Sequence, residues 1–314
     1  MIENLRKFTP LLKEGLKIKA TNYKQIKNVV VAAMGASAIP AEVIKEALSI
    51  KVPFEISKSY TLPSFVNKNT LLICVSRSGN TKETISQFDQ GVKNKCKIIT
   101  ITTGGKLQRK AKKFKKTNLV LPEEFKEKET REIFSYLIGA IIRILNASNL
   151  QKEKITFKSL KYKEIENKAK LLAKKINNTF PIICSQYQSV SFRWESQFSE
   201  NSKTLSESLT LPELAHNEIE SWQNLNKNFS VIFLRDKKER KQIKILIESI
   251  KRLTNRKTNF FEVWSKGQTR LERMLYLVWL GGFTSYFLGK EKKVKNQKQT
   301  KYIEKLKEEI KRIS

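Results

Sequence analysis

The sequence predicts an α/β protein made of two doubly wound domains, each a parallel sheet flanked by helices. Three observations carry this. Short β-branched runs, apolar on both faces, recur along the chain, as strands buried between two helical layers do. Between them, apolar residues recur at helical spacing. A polar stretch at Ala147–Lys154 (ASNLQKEK) breaks the alternation once, after which it resumes. The 314 residues suit two domains at ~150 residues each, expected at 1–149 and 150–314.

In the first half the strands are expected at Val29–Ala33 (VVVAA), Leu71–Val75 (LLICV) and Ile98–Thr102 (IITIT), with weaker ones near Pro53–Ile56 and Asn118–Leu121. A helix after the first strand carries Ile39, Val43, Ile44, Ala47 and Leu48, with Ser37 as its expected N-cap and Pro40 in its first turn. Thr81 to Asn94 repeats the pattern with Ile85, Phe88 and Val92, and Arg131 to Asn146 reads as a helix apolar nearly all round. The second half opens with a helix from about Tyr162 to Asn177. Strands follow at Pro181–Ser185, Phe229–Leu234 and Asn259–Trp264. Its later helices carry Ile243 to Leu253, Leu271 to Leu288, and finally Lys301 to Ile313, with Ile303, Leu306, Ile310 and Ile313 on one face.

Composition narrows the function. Lys and Arg number 62 against 30 Asp and Glu, a formal net charge of +32 that attracts phosphates of any kind. Nucleic-acid binders concentrate such charge on a stripe interleaved with aromatics. Here the lysines are spread along the chain, with dense runs only at Lys106–Lys116 and Lys290–Lys301, both read as solvated surface. Specific nucleic-acid binding is therefore not expected. No membrane span is expected either, since the best stretch, Met274–Leu288, is short and holds Gly281 and Gly282. Three cysteines (Cys74, Cys96 and Cys184) without ligand spacing argue against a disulfide scaffold or a zinc site, and with no apolar leader at the N-terminus they fit a reducing cytoplasm.

Three segments sit where doubly wound sheets bind ligands, at strand C-termini or beyond. Met34-Gly35-Ala36-Ser37 follows the first strand, and its small residues let a ligand approach the backbone at a helix N-terminus. Ser76-Arg77-Ser78-Gly79-Asn80-Thr81 follows the LLICV strand. Three hydroxyls around a glycine at a helix N-terminus are what a phosphomonoester needs, although the loop is neither a Walker A sequence nor GxGxxG. The third segment runs from Phe192 through Glu200 to Ile219 and holds the single histidine, His216. A Glu and a His can serve as base and acid, provided that the fold brings both to one pocket.

Together these segments resemble one family. AMGASAI is similar to its MGGSAIG turn, SRSGNTKET to its SYSGNTEET loop, ITTGGKL to ITSGGKL, RWESQFSENSK to RWKTQLNENAK, and LPELAHNEIESW to LPELNHNEIEGW. These are motifs of the bifunctional phosphoglucose/phosphomannose isomerases, which consist of two sugar isomerase (SIS) domains, and the resemblance runs in order from about Val30 to Lys307. It implies two SIS-type domains and an aldose–ketose isomerase that interconverts fructose 6-phosphate with glucose 6-phosphate and mannose 6-phosphate through a cis-enediol, with no metal and no organic cofactor. By position, the resemblance makes Ser76, Ser78 and Thr81 the phosphate-binding hydroxyls, and Gly35 and Ser37 the substrate-proximal turn. It makes Arg131 an arginine near the reacting carbons and Glu200 the base. His216 becomes the residue that assists ring opening, supplied by the second subunit of a homodimer. Thr300 and Lys307 match the Thr and Lys of the last helix, with Lys305 competing for the lysine's place. The apolar helix at Met274–Phe287 also suggests a dimer.

The sequence departs from the family pattern at Ala36 (a Gly), Arg77 (a Tyr), Pro40-Ala41-Glu42 (GGD) and Glu129-Thr130 (Pro-Pro). Two rivals stay open. A non-catalytic SIS-type sensor of sugar phosphates would keep the serine loop without needing Glu200 or His216, and both are present. A basic nucleic-acid-associated protein would need the lysine runs on one continuous face.

Overall fold

The computed structural model describes residues 1–254 and 258–313. It divides into two compact units, one of residues 3–158 and 268–274, the other of residues 1–2, 159–267 and Leu275 onward. The expected division after residue 149 falls inside the first unit, which keeps the following stretch by specific bonds. Lys51 N–H donates to the Leu150 carbonyl at 3.0 Å, Ser49 N–H to Glu153 at 2.7 Å, and the Thr156 hydroxyl to Glu272 at 3.0 Å.

The N-terminal residues form two short helices, α1 (Ile2–Arg6) and α2 (Phe8–Leu16). Five parallel strands follow: β1 (Asn28–Ala33), β2 (Phe54–Ser57), β3 (Thr70–Val75), β4 (Lys97–Thr102) and β5 (Thr117–Val120). Their order is β2-β1-β3-β4-β5. The connections reverse direction between β1 and β3, so the loops leaving those two strands flank a crevice. α3 (Ile39–Ala47), α4 (Lys82–Lys93), α5 (Gly105–Lys113) and α6 (Phe134–Ala147) complete the unit.

Several local expectations change. Ser37 does not cap α3. It closes a 3-10 turn, Gly35–Ser37, and Ala38 takes the N-cap position without a side-chain bond. Arg131 lies not in α6 but in a 3-10 turn before it, Thr130–Glu132. The run Lys106–Lys116 is more than solvated surface, because most of it forms α5, which buries Leu107 and Ala111 beneath its lysines. α2 carried no periodic signal long enough to announce it, yet it explains why α6 is apolar all round. The two helices meet at glycines: a methyl on Gly15 would lie 2.2 Å from the Tyr136 carbonyl oxygen, and one on Gly139 would lie 2.4 Å from that of Leu12.

The second unit is built from α7 (Tyr162–Ile176), β6 (Phe180–Ser185), α8 (Gln188–Gln197), β7 (Glu207–Thr210), β8 (Phe229–Arg235), α9 (Lys241–Leu253), β9 (Asn259–Trp264), α10 (Arg270–Glu291) and α11 (Lys301–Ile313), α10 beginning in the first unit's residues. Its parallel strands run β7-β6-β8-β9, again with a reversal point, between β6 and β8. β7 and α8 were not expected, since ESLT offers one buried apolar residue and α8 is only weakly amphipathic. The apolar residues of α10 from Leu275 to Phe283 are buried within the chain, so they offer no free surface for a dimer. No described helix is long and apolar enough to cross a membrane.

The three cysteines are free and buried. Burial pushes the thiols of Cys74 and Cys184 well above their ordinary range, and that of Cys96 up to about 11. A thiol is reactive as its thiolate. The folded protein should therefore leave Ellman's reagent almost unconsumed at pH 8 and release three equivalents in denaturant. Rapid reaction of a native thiol would show that one of these strands opens readily.

Candidate active site

In the first unit, the loop after β3 is held from beneath by the turn after β4. Ser76 N–H donates to the Ile101 carbonyl at 3.0 Å, and the Arg77 carbonyl accepts from the N–H and hydroxyl of Thr103 at 2.9 and 2.8 Å. The Gly79 carbonyl accepts from Leu107 N–H at 2.9 Å, and Asn80 Oδ1 from Lys106 N–H at 3.1 Å. This interlock leaves no room for side chains. A methyl on Gly79 (φ +66°) would lie 1.8 Å from the Gly104 carbonyl oxygen, and one on Gly105 (φ +70°) would lie 2.4 Å from that of Ser78. Both backbones are also left-handed, where a Cβ is strained.

Held this way, the loop gathers its hydroxyls. Ser76 Oγ and Thr81 Oγ1 share a hydrogen bond at 2.8 Å, Ser76 Oγ accepts from Gly79 N–H at 3.1 Å, and Ser78 Oγ accepts from Asn80 N–H at 3.3 Å. Ser76 is buried and Ser78 exposed. Thr81 is the N-cap residue of α4 but makes no side-chain capping bond. The positive end of α4 and a cluster of hydroxyls thus face the same place, which suits a phosphate-like anion.

Two further turns of this unit pack against each other, Gly35–Ser37 after β1 and Thr130–Glu132 before α6. Gly35 has φ +49°, and a methyl on it would meet nothing within 4 Å, so open space lies in front of this backbone. Arg131 is buried. Its turn is closed by a capping box in which Glu132 accepts from Glu129 N–H at 3.0 Å while Glu129 caps Glu132. Glu129-Thr130, which departs from the resembled pattern, therefore builds a turn of its own here. Arg77, another departure, reaches out of the serine loop to donate to the Lys126 carbonyl at 2.8 Å.

In the second unit, Glu200 sits in a π-helical turn, Phe198–Ser202, that continues α8. The segment seats on α10 where that helix carries small residues. Buried Trp194 donates from its indole to the Leu277 carbonyl at 2.9 Å, Asn201 donates to Ser285 Oγ at 2.8 Å, and a methyl on Gly289 would lie 2.9 Å from the Asn201 carbonyl. Glu200 is half-buried and lines a cavity of about 610 Å³ together with Lys203, Leu205, Thr300 and Tyr302. A carboxylate in a partly enclosed apolar cavity is suited to moving a proton to and from carbon.

Glu200 and Thr300 are thus brought together, 100 positions apart in sequence. His216 is not among the lining residues. It follows the 3-10 turn Glu213–Ala215 and is exposed, as are Lys305 and Lys307 on α11. Lys203 and Trp194 lie inside RWESQFSENSK, and the supports Thr103 and Gly105 inside ITTGG, where spacing alone gives them no role.

Comparison with known proteins places this geometry. Residues 165–310 match the bacterial phospho-glucose isomerase C-terminal SIS domain. The chain is 30% identical over 300 residues to the bifunctional phosphoglucose/phosphomannose isomerase of Aquifex aeolicus, with 91% of each chain covered. It is 31% identical over 219 residues to the D-glucosamine-6-phosphate 4-epimerase of Sulfolobus acidocaldarius, covering 65% of this chain and 67% of that one. The C-terminal domain of glucosamine-fructose-6-phosphate aminotransferase from Francisella tularensis shares the fold, with a TM-score of 0.68 at 13% identity over 93% of this chain and 96% of that one.

The seat of the Glu200 segment on α10 is open to test. A methyl on Gly281 would lie 2.4 Å from Trp194 Nε1. Overpacking of this kind costs ~1–3 kcal/mol, so Gly281→Ala should lower the unfolding free energy by that much and shift the urea midpoint downward. Unchanged stability in urea titration would mean that Trp194 moves freely.

Proposed function

Because the chain belongs to the bifunctional phosphoglucose/phosphomannose isomerase family, we propose that it interconverts fructose 6-phosphate with glucose 6-phosphate and with mannose 6-phosphate, as a cytoplasmic homodimer. The observation that carries this reading is the serine loop, with three hydroxyls grouped at an uncapped helix N-terminus. The substrate phosphate binds at Ser76, Ser78 and Thr81, and the sugar passes the open face of Gly35 and Ser37. His216 assists ring opening. Glu200 then takes the proton next to the carbonyl, leaving a cis-enediol whose negative charge Arg131 offsets, and returns that proton to the neighbouring carbon. Reprotonation of C2 on one face or the other gives the two aldoses. Thr300 lines the Glu200 cavity, and Lys307, exposed on α11, is the lysine that the family pattern assigns to the site.

The dimer rests on the exposed position of His216 and on α11, where Tyr302, Ile303, Leu306, Ile310 and Ile313 are all exposed along an apolar row. The free, buried cysteines suit a reducing compartment.

A coupled assay starting from fructose 6-phosphate and scoring both aldoses tests the activity. Glu200→Gln keeps shape but accepts no proton, and it should lower kcat by ~10²–10⁴-fold with KM nearly unchanged. The C1 proton of fructose 6-phosphate should then cease to exchange with D₂O. Exchange at the wild-type rate would remove Glu200 as the base. Turnover of glucosamine 6-phosphate with none of fructose 6-phosphate would move the assignment toward the epimerase relative.

Shared sites make a separate prediction. Glu200→Gln and His216→Ala chains, each inactive alone, should recover about a quarter of wild-type activity after mixing and subunit exchange, because one site of each mixed dimer is then intact. No recovery despite demonstrated exchange would place the Glu and the His of one site in one chain.

A further inference from the structure

We propose that Lys203 is a positioning residue that fixes the Glu200 turn against the segment leading into α11, and so sets the distance across the cavity between Glu200 and Thr300. The inference rests on the isomerase reading above and adds a residue to which that reading gives no role. Lys203 ends the π-helical turn in a left-handed backbone conformation, with φ +53° and ψ +37°. Its ammonium donates to the Glu200 carbonyl at 2.6 Å and to the Gln299 carbonyl at 2.6 Å, the latter 96 positions away. Both bonds are charge-assisted and short.

Each carbonyl belongs to one wall of the same cavity. Glu200 is in the last turn of its helix, where carbonyl oxygens lack partners from the helix itself. Gln299 directly precedes Thr300, and its own segment is already anchored on its other side. Asn296 Oδ1 accepts from the N–H groups of Lys298 and Gln299 at 3.1 and 3.3 Å, and Gln297 donates to the Tyr286 carbonyl on α10 at 3.0 Å. α11 itself is exposed on the sides its side chains present. Lys203 thus bridges an anchored loop and the turn bearing the carboxylate, with its charge on main-chain oxygens.

Displacement of a catalytic group by about 1 Å can cost ~10²-fold in rate, whereas phosphate anchoring at the serine loop is left alone. Lys203→Met should therefore lower kcat for fructose 6-phosphate by ~10–100-fold while KM stays within about twofold. Amide hydrogen exchange at residues 299–303 should speed up, with the rest of the chain unchanged. Lys203→Arg, which also donates to two carbonyls, should restore both readouts, and Lys203→Gln, too short to span them, should fall between. Should the Met variant not fold, the Arg and Gln pair carries the same comparison. Unchanged exchange at 299–303, a rise in KM equal to the fall in kcat, or failure of Arg to rescue would each overturn the proposal. If the wild-type protein turns over no fructose 6-phosphate, the isomerase reading fails by itself, while hydrogen exchange still reports whether Lys203 holds the segment.

Discussion

Each candidate segment, the serine loop in one unit and the Glu200 turn in the other, depends on main chain coming close to main chain, which a single methyl in the wrong place would prevent. The serine loop curls over the turn after β4 because Gly79 presents no Cβ to the Gly104 carbonyl and Gly105 none to that of Ser78. The Glu200 turn settles on α10 because Gly281 and Gly289 leave space for Trp194 and the Asn201 backbone. Glycine within a helix costs up to ~1 kcal/mol relative to alanine, and α10 bears that cost at positions facing the Glu200 segment. The gain is rigidity: hydroxyls and a carboxylate are placed by backbone contacts, with few rotamers left to search.

How much of this was legible in the sequence differs by element, for physical reasons. The central strands among the eight expected were readable because buried parallel strands are apolar on both faces, as VVVAA and LLICV show. The edge strands β2, β5 and β9 rested on weaker or aromatic runs such as NFFEVW. β7 was not readable, since an edge strand with only Leu209 buried has no such pattern. α2 is nine residues with Pro10 and Gly15, so it depends on α6 rather than on its own propensity. Ser37 looked like a cap because a serine before an apolar stripe usually is one. The turn takes it inward instead and leaves Ala38 at the helix start. The serine loop could be found from hydroxyl spacing alone, because Ser76, Ser78 and Thr81 lie within six contiguous residues. The cavity around Glu200 could not, since its walls are residues 199–205 and 296–303 and only the fold joins them.

The same topology occurs twice, yet the two sheets treat their reversal points differently. Between β1 and β3 the first sheet offers glycine, serine and threonine. Between β6 and β8 the second is closed by its own side chains: the Tyr187 hydroxyl donates to Asp236 at 2.5 Å across the crevice, both groups buried. Beside them Arg235, fully buried at the end of β8, pairs with Glu239, Glu248 and Glu262 and lies 4.5 Å from the centre of the Trp264 ring. A buried arginine so surrounded is satisfied, and removing it would strand the buried Glu239 carboxylate. Several of the few acidic residues in this +32 chain are committed to that cluster. Among the described residues, the second sheet's reversal point is thus spanned by a buried tyrosine–aspartate bond, and the cavity holding Glu200 lies instead beside the π-helical turn after α8. Topology supplies two candidate crevices, and the side chains at the strand ends leave one of them open to a ligand.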